Sequence, residues 1–336
     1  MAGIARRTRT LFLTLAIALS GCAAAPGLQA PVNTLAGELA AAGIPNGVKT
    51  IKAEWGSVTL GLLADSAKDR KAKAEELDAE LPLYEEDGAF PGIGIMANKK
   101  GQAAKVDLRS FASPIRNQGN MGSCTAFAGT GLMEMVLNIK GAKAAGKKVK
   151  HLSPLFFYYA ERQAMEESGD SPKATKNDTG ASSGLAATTA IKIGAVPEEA
   201  APYKDGKPGI AWKPSPELFT AAGEYKFKSK KRINTIQGMK AALAAKKPFV
   251  FGLVLYKSHM TEAVAKTGDL PLPAKGEDII GGHAVVCVGY DDAKQAFIVR
   301  NSWGTGWGDK GYFYMPYEFF KTQYVGFRYF NCWTLD

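Results

Sequence analysis

Three short stretches of this chain hold the residue types that acyl-transfer chemistry needs. They are Gln118-Gly-Asn-Met-Gly-Ser-Cys124, Gly281-Gly282-His283-Ala-Val and Arg300-Asn301-Ser-Trp303-Gly-Thr-Gly-Trp-Gly. A thiol is only partly ionised at neutral pH, and its thiolate is the nucleophile. A nearby imidazole supplies the activating base and later the proton for a departing amine. An amide can hold the far side of that imidazole and fix its tautomer. A second amide donor can steady an oxyanion. Cys124, His283, Asn301 and Gln118 offer one group for each of these roles.

Such groups work only when regular elements aim them. Ser123 precedes a run with helical periodicity (Phe127, Gly131, Leu132, Met135, Val136, Ile139), which places Cys124 in the first helical turn. Unpaired N–H groups and the macrodipole there favour a negative sulfur. His283 opens a β-branched run that reads as a strand, and Gly281 and Gly282 leave space beside its ring. Taken singly, each residue has a plainer reading: a buried inert thiol, a satisfied core histidine, an asparagine in a turn. Their conjunction in this order argues for chemistry.

The set resembles the papain-like cysteine peptidases, in which a Gly-Ser-Cys nucleophile is followed far downstream by His and Asn. That resemblance implies Cys124 as nucleophile, His283 as acid and base, and Asn301 as orienter. It also implies Gln118, six residues before Cys124, as the oxyanion-hole side chain, and Trp303 as a shield over the Asn301–His283 bond. It extends from about Val106 to the C-terminus. Leu152-Ser153-Pro154 looks like the start of the family's second helix, with Ser153 as N-cap and Pro154 in the first turn. Asp178-Thr179-Gly180-Ala181-Ser182 looks like the cleft segment of bacterial members. Backbone near Gly180 would then pair with an extended peptide, with Ser182 and Gly282 also lining the substrate. The implied fold is α+β with two lobes. A mostly helical lobe carries Cys124, a β-barrel-like lobe carries His283 and Asn301, and the cleft runs between them. Within the second half, Tyr225 and Phe227 alternate with lysines as a strand would, Gln237 to Ala245 reads as helix, and Phe249 to Tyr256 reads as a buried strand.

Two departures stand out. Met121 occupies the place of a disulfide cysteine in the animal and plant enzymes, with no matching cysteine near Gly180, so that bridge is absent. Thr125 replaces the tryptophan after the nucleophile. Of the four cysteines, Cys22 belongs to the targeting segment and Cys124 to the site. A bridge between Cys287 and Cys332 stays open, beside the plainer reading of Cys287 as a small core residue on a strand.

The N-terminus carries Arg6, Arg7 and Arg9, then an apolar stretch from Leu11 to Leu19, then Leu19-Ser20-Gly21-Cys22. This reads as a secretory signal ending in a bacterial lipobox, with residues 1–22 removed or modified and Cys22 lipidated. Two or more acyl chains would tether the protein stably to a membrane. Ala23 after the cysteine suggests the outer membrane if the host is Gram-negative; simple cleavage after Ala25 would instead make the protein secreted. Residues 23–104 form an N-terminal region of mixed character. Ser66 to Leu81 reads as an exposed helix, and Pro82, Gly88, Pro91, Gly92 and Gly94 read as a linker. Propeptide, spacer and accessory domain all stay open for it. Residues 105–336 form the catalytic domain.

The net charge is +10. The clusters Lys140, Lys143, Lys147, Lys148, Lys150 and Lys226, Lys228, Lys230, Lys231, Arg232 read as solvated faces, or as contacts with anionic lipid beside the anchor. No nucleic-acid reader accompanies them, and oligomeric state is open. The sequence shows no cofactor fingerprint and no metal constellation, and His151 and His259 lack companion ligands. The expected function is cysteine endopeptidase on peptide or protein substrates. The alternatives are a thiol acyltransferase or cell-wall peptide amidase with the same triad, and a non-enzymatic surface-binding lipoprotein.

Overall fold

The computed structural model describes residues 47–63, 103–142, 151–233, 235–319 and 332–336. Cys22, the expected helix from Ser66 to Leu81, the linker after it and the lysines from 143 to 150 lie outside the described residues. No helix among the described residues is long and apolar enough to cross a membrane.

The first lobe is built on α1 (Cys124–Leu137), whose residues are buried on almost every face. A helix apolar all round belongs inside a larger body. It packs against α2 (Pro154–Glu167) and α3 (Ser183–Lys192) on one side and against the sheet on the other. The cap expected from sequence forms, with the Ser153 hydroxyl accepting from the Phe156 N–H at 3.1 Å; Ser182, expected from sequence to line the substrate, caps α3 by accepting from the Leu185 N–H at 3.1 Å. Short helices α4 (Gly206–Ala211) and α5 (Pro216–Ala222) complete this lobe.

The second lobe is an antiparallel sheet. Its strands are β4 (Lys105–Asp107), β6 (Lys230–Ile233), β7 (Phe249–Tyr256), β8 (Ile279–Asp291), β9 (Ala296–Arg300), β10 (Tyr312–Pro316) and β11 (Cys332–Leu335). They lie in the order β10-β9-β8-β7-β11-β6, and β4 pairs with β8. β7 is buried over nearly its whole length, as its continuous apolar run requires. Helices α6 (Ile236–Ala244) and α7 (Glu262–Thr267) flank the sheet. The remaining strands, β1 (Lys49–Ala53), β2 (Gly56–Leu60), β3 (Leu62–Leu63) and β5 (Ala181–Ser182), lie outside it.

A buried charge cluster joins the lobes. Glu134 of α1 has no exposure, accepts from the Leu152 N–H at 2.7 Å, and bonds Arg116 at 3.2 Å and the Ser113 hydroxyl. Burial pushes its carboxyl up, but His151, Arg116, Arg300 and Ser113 outweigh this and hold it below the usual range. Arg300, just ahead of Asn301, donates to the Pro114 carbonyl at 3.0 Å. The segment before Gln118 is thereby tied to the strand that delivers Asn301.

Two local expectations change. Tyr225 and Phe227 are not in a strand. Tyr225 ends a 3-10 turn at Gly223–Tyr225, and the Phe227 N–H goes to the Ala190 carbonyl at 3.0 Å. The alternation there serves a link tied to α3, and the ladder begins only at Lys230, opposite Leu335. Cys287 and Cys332 are both buried, and no disulfide joins them. Strand β7 lies between the strands that carry them, which puts the two cysteines two strand spacings apart, on the order of 10 Å. That exceeds the reach of a disulfide. His259 is a buried core histidine. Its Nδ1 accepts from the Tyr256 N–H, its Nε2 faces the Pro271 carbonyl, and burial pushes it down to about 4.

Candidate active site

Cys124 is the first residue of α1, so the helix N-terminus faces its sulfur. Ser123 at the N-cap does not close the helix with its side chain; its hydroxyl bonds the Tyr203 hydroxyl at 2.8 Å instead. The turn's N–H groups are thus left for the sulfur and for a developing oxyanion. Strand β8 brings His283 alongside, and the backbone of the next residue, Ala284, hydrogen-bonds the Cys124 sulfur.

Asn301 follows β9 and its Oδ1 accepts from His283 Nε2 at 2.8 Å. The same Oδ1 accepts from the Ser302 N–H at 2.8 Å, which fixes the orientation of the amide. His283 therefore carries its proton on Nε2 when neutral. Its Nδ1 has no hydrogen-bond partner among the described residues and is free to take the thiol proton. Trp303 stacks on the imidazole, with ring centroids 4.6 Å apart and 24° between planes. Trp303 thus lies against the ring that bonds Asn301.

Gln118 is fully buried, and Ser302 donates to its Oε1 at 2.7 Å, turning Nε2 toward the cleft. Backbone pairing of the Gln118 N–H with the Ser302 carbonyl at 2.9 Å adds to this brace. Ser302 is a residue that sequence reasoning missed, although it stands inside the Asn301–Trp303 motif.

The Gln118 amide has occupants: Nε2 donates to the Met121 carbonyl at 3.0 Å and to the Thr59 carbonyl at 2.9 Å. Thr59 belongs to the N-terminal region, whose described residues 47–63 lie across the cleft. Strands β1 and β2 form a hairpin whose tip puts Trp55 on Trp303 and Trp307, at 5.5 and 6.1 Å between centroids. Beyond it, Leu60 packs on Gly281, where an added Cβ would come within 2.6 Å of the leucine Cδ1. Gly61 hydrogen-bonds the Cys124 sulfur through its backbone, and its carbonyl accepts from the Ala181 N–H at 2.9 Å. β3 then runs parallel to β5, with Leu62 opposite Ala181 and Leu63 opposite Ser182. Any Cβ on Gly61 would run into the Gly122 carbonyl, so glycine is required for so close a passage.

Beside Gly180, the cleft wall pairs through Ala181 and Ser182 with this chain's own residues 61–63. The Gly180 N–H is taken by the Tyr158 hydroxyl at 2.8 Å, and the Ser182 side chain caps α3. Gly282 lies within β8 opposite Val254, and its neighbour Gly281 is the residue that meets Leu60.

Covering sets the electrostatics. Burial pushes the Cys124 thiol up to about 11, against backbone hydrogen bonds from Ala284 and Gly61 that favour the anion. Burial likewise pushes His283 down to about 4, against its bond to Asn301. Both groups are neutral under the segment, and the thiolate–imidazolium pair is disfavoured. Thr125 also finds its purpose. Its hydroxyl donates at 2.9 Å to Glu161, a carboxyl with no exposure that burial pushes up to about 8. No group of three or more potential metal ligands occurs among the described residues.

The model for the papain family of cysteine proteases matches residues 102–323, more than half of the chain. The chain belongs to the papain family. A peptidase C1-like protein of Acanthamoeba polyphaga mimivirus is 35% identical over 212 residues, covering 60% of this chain and 64% of its own length. The match thus spans less than two thirds of that relative. Xylellain, a cysteine protease from Xylella fastidiosa, shares 28% identity at a TM-score of 0.63, over 86% of this chain and 97% of its own. A chain from work on the mite allergens Blo t 1 and Der p 1 shares the fold at 22% identity and a TM-score of 0.53, over 77% of this chain and 76% of its own. The two-lobe papain-like fold expected from sequence is the one observed.

Proposed function

We propose that this papain-family chain is a cysteine endopeptidase held latent by its own residues 47–63. One observation carries the reading: a peptide carbonyl, that of Thr59, already sits on the Gln118 amide beside a cysteine at a helix N-terminus. With the segment displaced, water and a substrate reach the site and the thiolate–imidazolium pair regains its solvation. The Cys124 sulfur attacks a peptide carbonyl carbon, and the oxygen takes up negative charge between Gln118 Nε2 and the Cys124 N–H. The C–N bond breaks as His283 gives its proton to the amine. Water then attacks the thioester, returning a proton to His283 and releasing a free carboxylate. Xylellain's description as a cysteine protease supports this assignment.

Residues 23–104 are, in this reading, an inhibitory N-terminal region, and residues 105–336 the catalytic domain. Residues 1–22 are a lipoprotein signal that places the enzyme in the cell envelope through acylated Cys22. Support for the anchor comes from Arg6, Arg7, the apolar stretch and the Leu19-Ser20-Gly21-Cys22 motif. Palmitate labelling lost in Cys22→Ala tests it, and labelling retained in that variant refutes it. The activity is tested by fluorogenic peptide hydrolysis with the full chain carrying Trp55→Ala, beside the same chain with Cys124→Ala. Hydrolysis confined to the first chain, with a free carboxylate product, is expected. An amine adduct as main product would move the assignment to acyl transfer, and activity surviving Cys124→Ala would refute it.

A further inference from the structure

The loop of residues 117–123 must hold the Gln118 amide and the Cys124 N–H in register, because small misplacements of catalytic groups are costly. No disulfide among the described residues does so. Polar clamps do it instead. On one side Asp205 accepts from the Asn120 N–H at 2.7 Å, and the Tyr203 hydroxyl donates to the Gln118 carbonyl at 2.7 Å. On the other side, toward the cleft wall, a longer chain of contacts runs. Both carboxylate oxygens of Asp178 accept from the Gly122 N–H, at 3.1 and 2.9 Å. The same carboxylate accepts from the Tyr158 hydroxyl at 2.5 Å, and that hydroxyl accepts from the Gly180 N–H. Arg162, fully buried, lays its guanidinium over the Tyr158 ring at 4.4 Å and donates to the Asn177 carbonyl at 3.1 Å.

We propose that Asp178 is a positioning residue for acyl transfer. With Tyr158 and Arg162 it clamps the nucleophile loop to the Gly180 wall, where animal and plant members of the family use a disulfide. The proposal rests on the peptidase reading of Cys124. Each part suits the task. Asp178 accepts for two donors that would otherwise be stranded at the cleft edge, and bonds to a charged acceptor are the stronger kind. Tyr158 stays a hydroxyl donor, since burial and Asp178 both push its ionisation far up. Arg162, on α2, balances the carboxylate and fixes residues 175–177, which lead into Asp178. The clamp contains no redox-active bond, so the cleft keeps its shape in the reducing conditions that keep Cys124 reactive.

The test uses the full chain carrying Leu60→Ala as parent, with Asp178→Ala, Asp178→Asn and, as control, Leu243→Ala added separately. Leu243 is fully buried in α6 of the other lobe. kcat/KM, Tm and the rate of Cys124 alkylation by iodoacetamide are measured for each. Asp178→Ala is expected to lower kcat/KM by about tenfold to a hundredfold, chiefly through kcat, and to slow alkylation. Asp178→Asn, which keeps one acceptor oxygen for Gly122, should fall between. Leu243→Ala should lower Tm at least as much with kcat/KM unchanged. Excess dithiothreitol should change none of the ratios. An Asp178→Ala chain within twofold of its parent in both rates overturns the proposal, as does a Leu243→Ala chain that loses as much activity for the same Tm. A parent that alkylates but hydrolyses no peptide refutes the peptidase reading, and the alkylation ratio still decides the clamp.

Discussion

Shortening Leu60 to alanine should expose Cys124 without unfolding the catalytic domain. Leu60 has no exposed surface and packs directly on Gly281, two residues before His283 in β8. Its side chain belongs to the covering segment, so its burial stabilises the closed arrangement and adds little to the fold beneath. Fully burying a leucine is worth about 1.5–3 kcal/mol. Taking about 2 kcal/mol, the ratio of open to closed chains should rise roughly thirtyfold. The hydrogen bonds of Thr59 and Gly61 are backbone bonds and stay available, so closure is weakened and not abolished. Alkylation of Cys124 by iodoacetamide at fixed neutral pH reads the open fraction, because the sulfur is fully buried when closed. Its rate should rise by roughly that factor until the open form predominates. Circular dichroism should be unchanged, and Trp55 emission should shift as its ring leaves Trp303 and Trp307. An alkylation rate within twofold of wild type would refute the reasoning, since it would mean Leu60 does not hold the segment closed.

Gly61→Ala should open the cleft at least as far, because the clash is with the Gly122 backbone and no rotamer relieves it; tight alkylation protection in that variant would contradict the observed passage. Acid should loosen the segment too. His283 is held neutral at about 4, against an ordinary value of 6.5, so the closed form is favoured above 6.5 and loses that advantage as pH falls toward 4. The charged and titratable neighbours are few: Asn301 and Trp303 contact the ring, Cys124 is neutral, and Thr59, Leu60 and Gly61 carry no charge. Exchange at the Ala181 N–H, corrected for intrinsic rate, should speed up by at most about a hundredfold at mildly acidic pH; pH-independent protection would contradict this. Glu161→Gln should stabilise the protein more at alkaline than at acidic pH. The buried carboxyl is held up to about 8, so its contribution is present below the ordinary carboxylate value of 4.5 and is lost as pH rises through 8. A Tm difference that does not grow with pH would count against that burial.

Much of the site was legible because chemistry restricts it to few residue types. Cys124, His283, Asn301, Gln118 and Trp303 stand where their motifs put them, helix α1 follows from its helical periodicity, and strand β7 follows from its apolar run. Other features depend on contacts between distant parts of the chain. Nothing in Thr59, Leu60 and Gly61 as a tripeptide says that it crosses a nucleophile. Its meaning comes from Gln118, Gly122 and Ala181, far along the sequence. The apparent alternation at Tyr225 and Phe227 misled because a side chain every second residue also suits an extended link with no partner strand. The cysteine pair Cys287 and Cys332 could be judged only once β7 was seen between their strands. Asp178 was read as part of a cleft segment, yet its clamp on Gly122 is visible only in three dimensions.

The central claim is that Cys124 forms the acyl bond, and intact mass of the enzyme during turnover tests it most directly. The full chain carrying Leu60→Ala would be mixed with an activated peptide ester and quenched in acid at early times. The account predicts a transient adduct of the acyl mass on the peptide containing Cys124, decaying as free acid appears, and none in Cys124→Ala. Turnover of the ester with no adduct at Cys124, or an adduct that persists in Cys124→Ala, would contradict it.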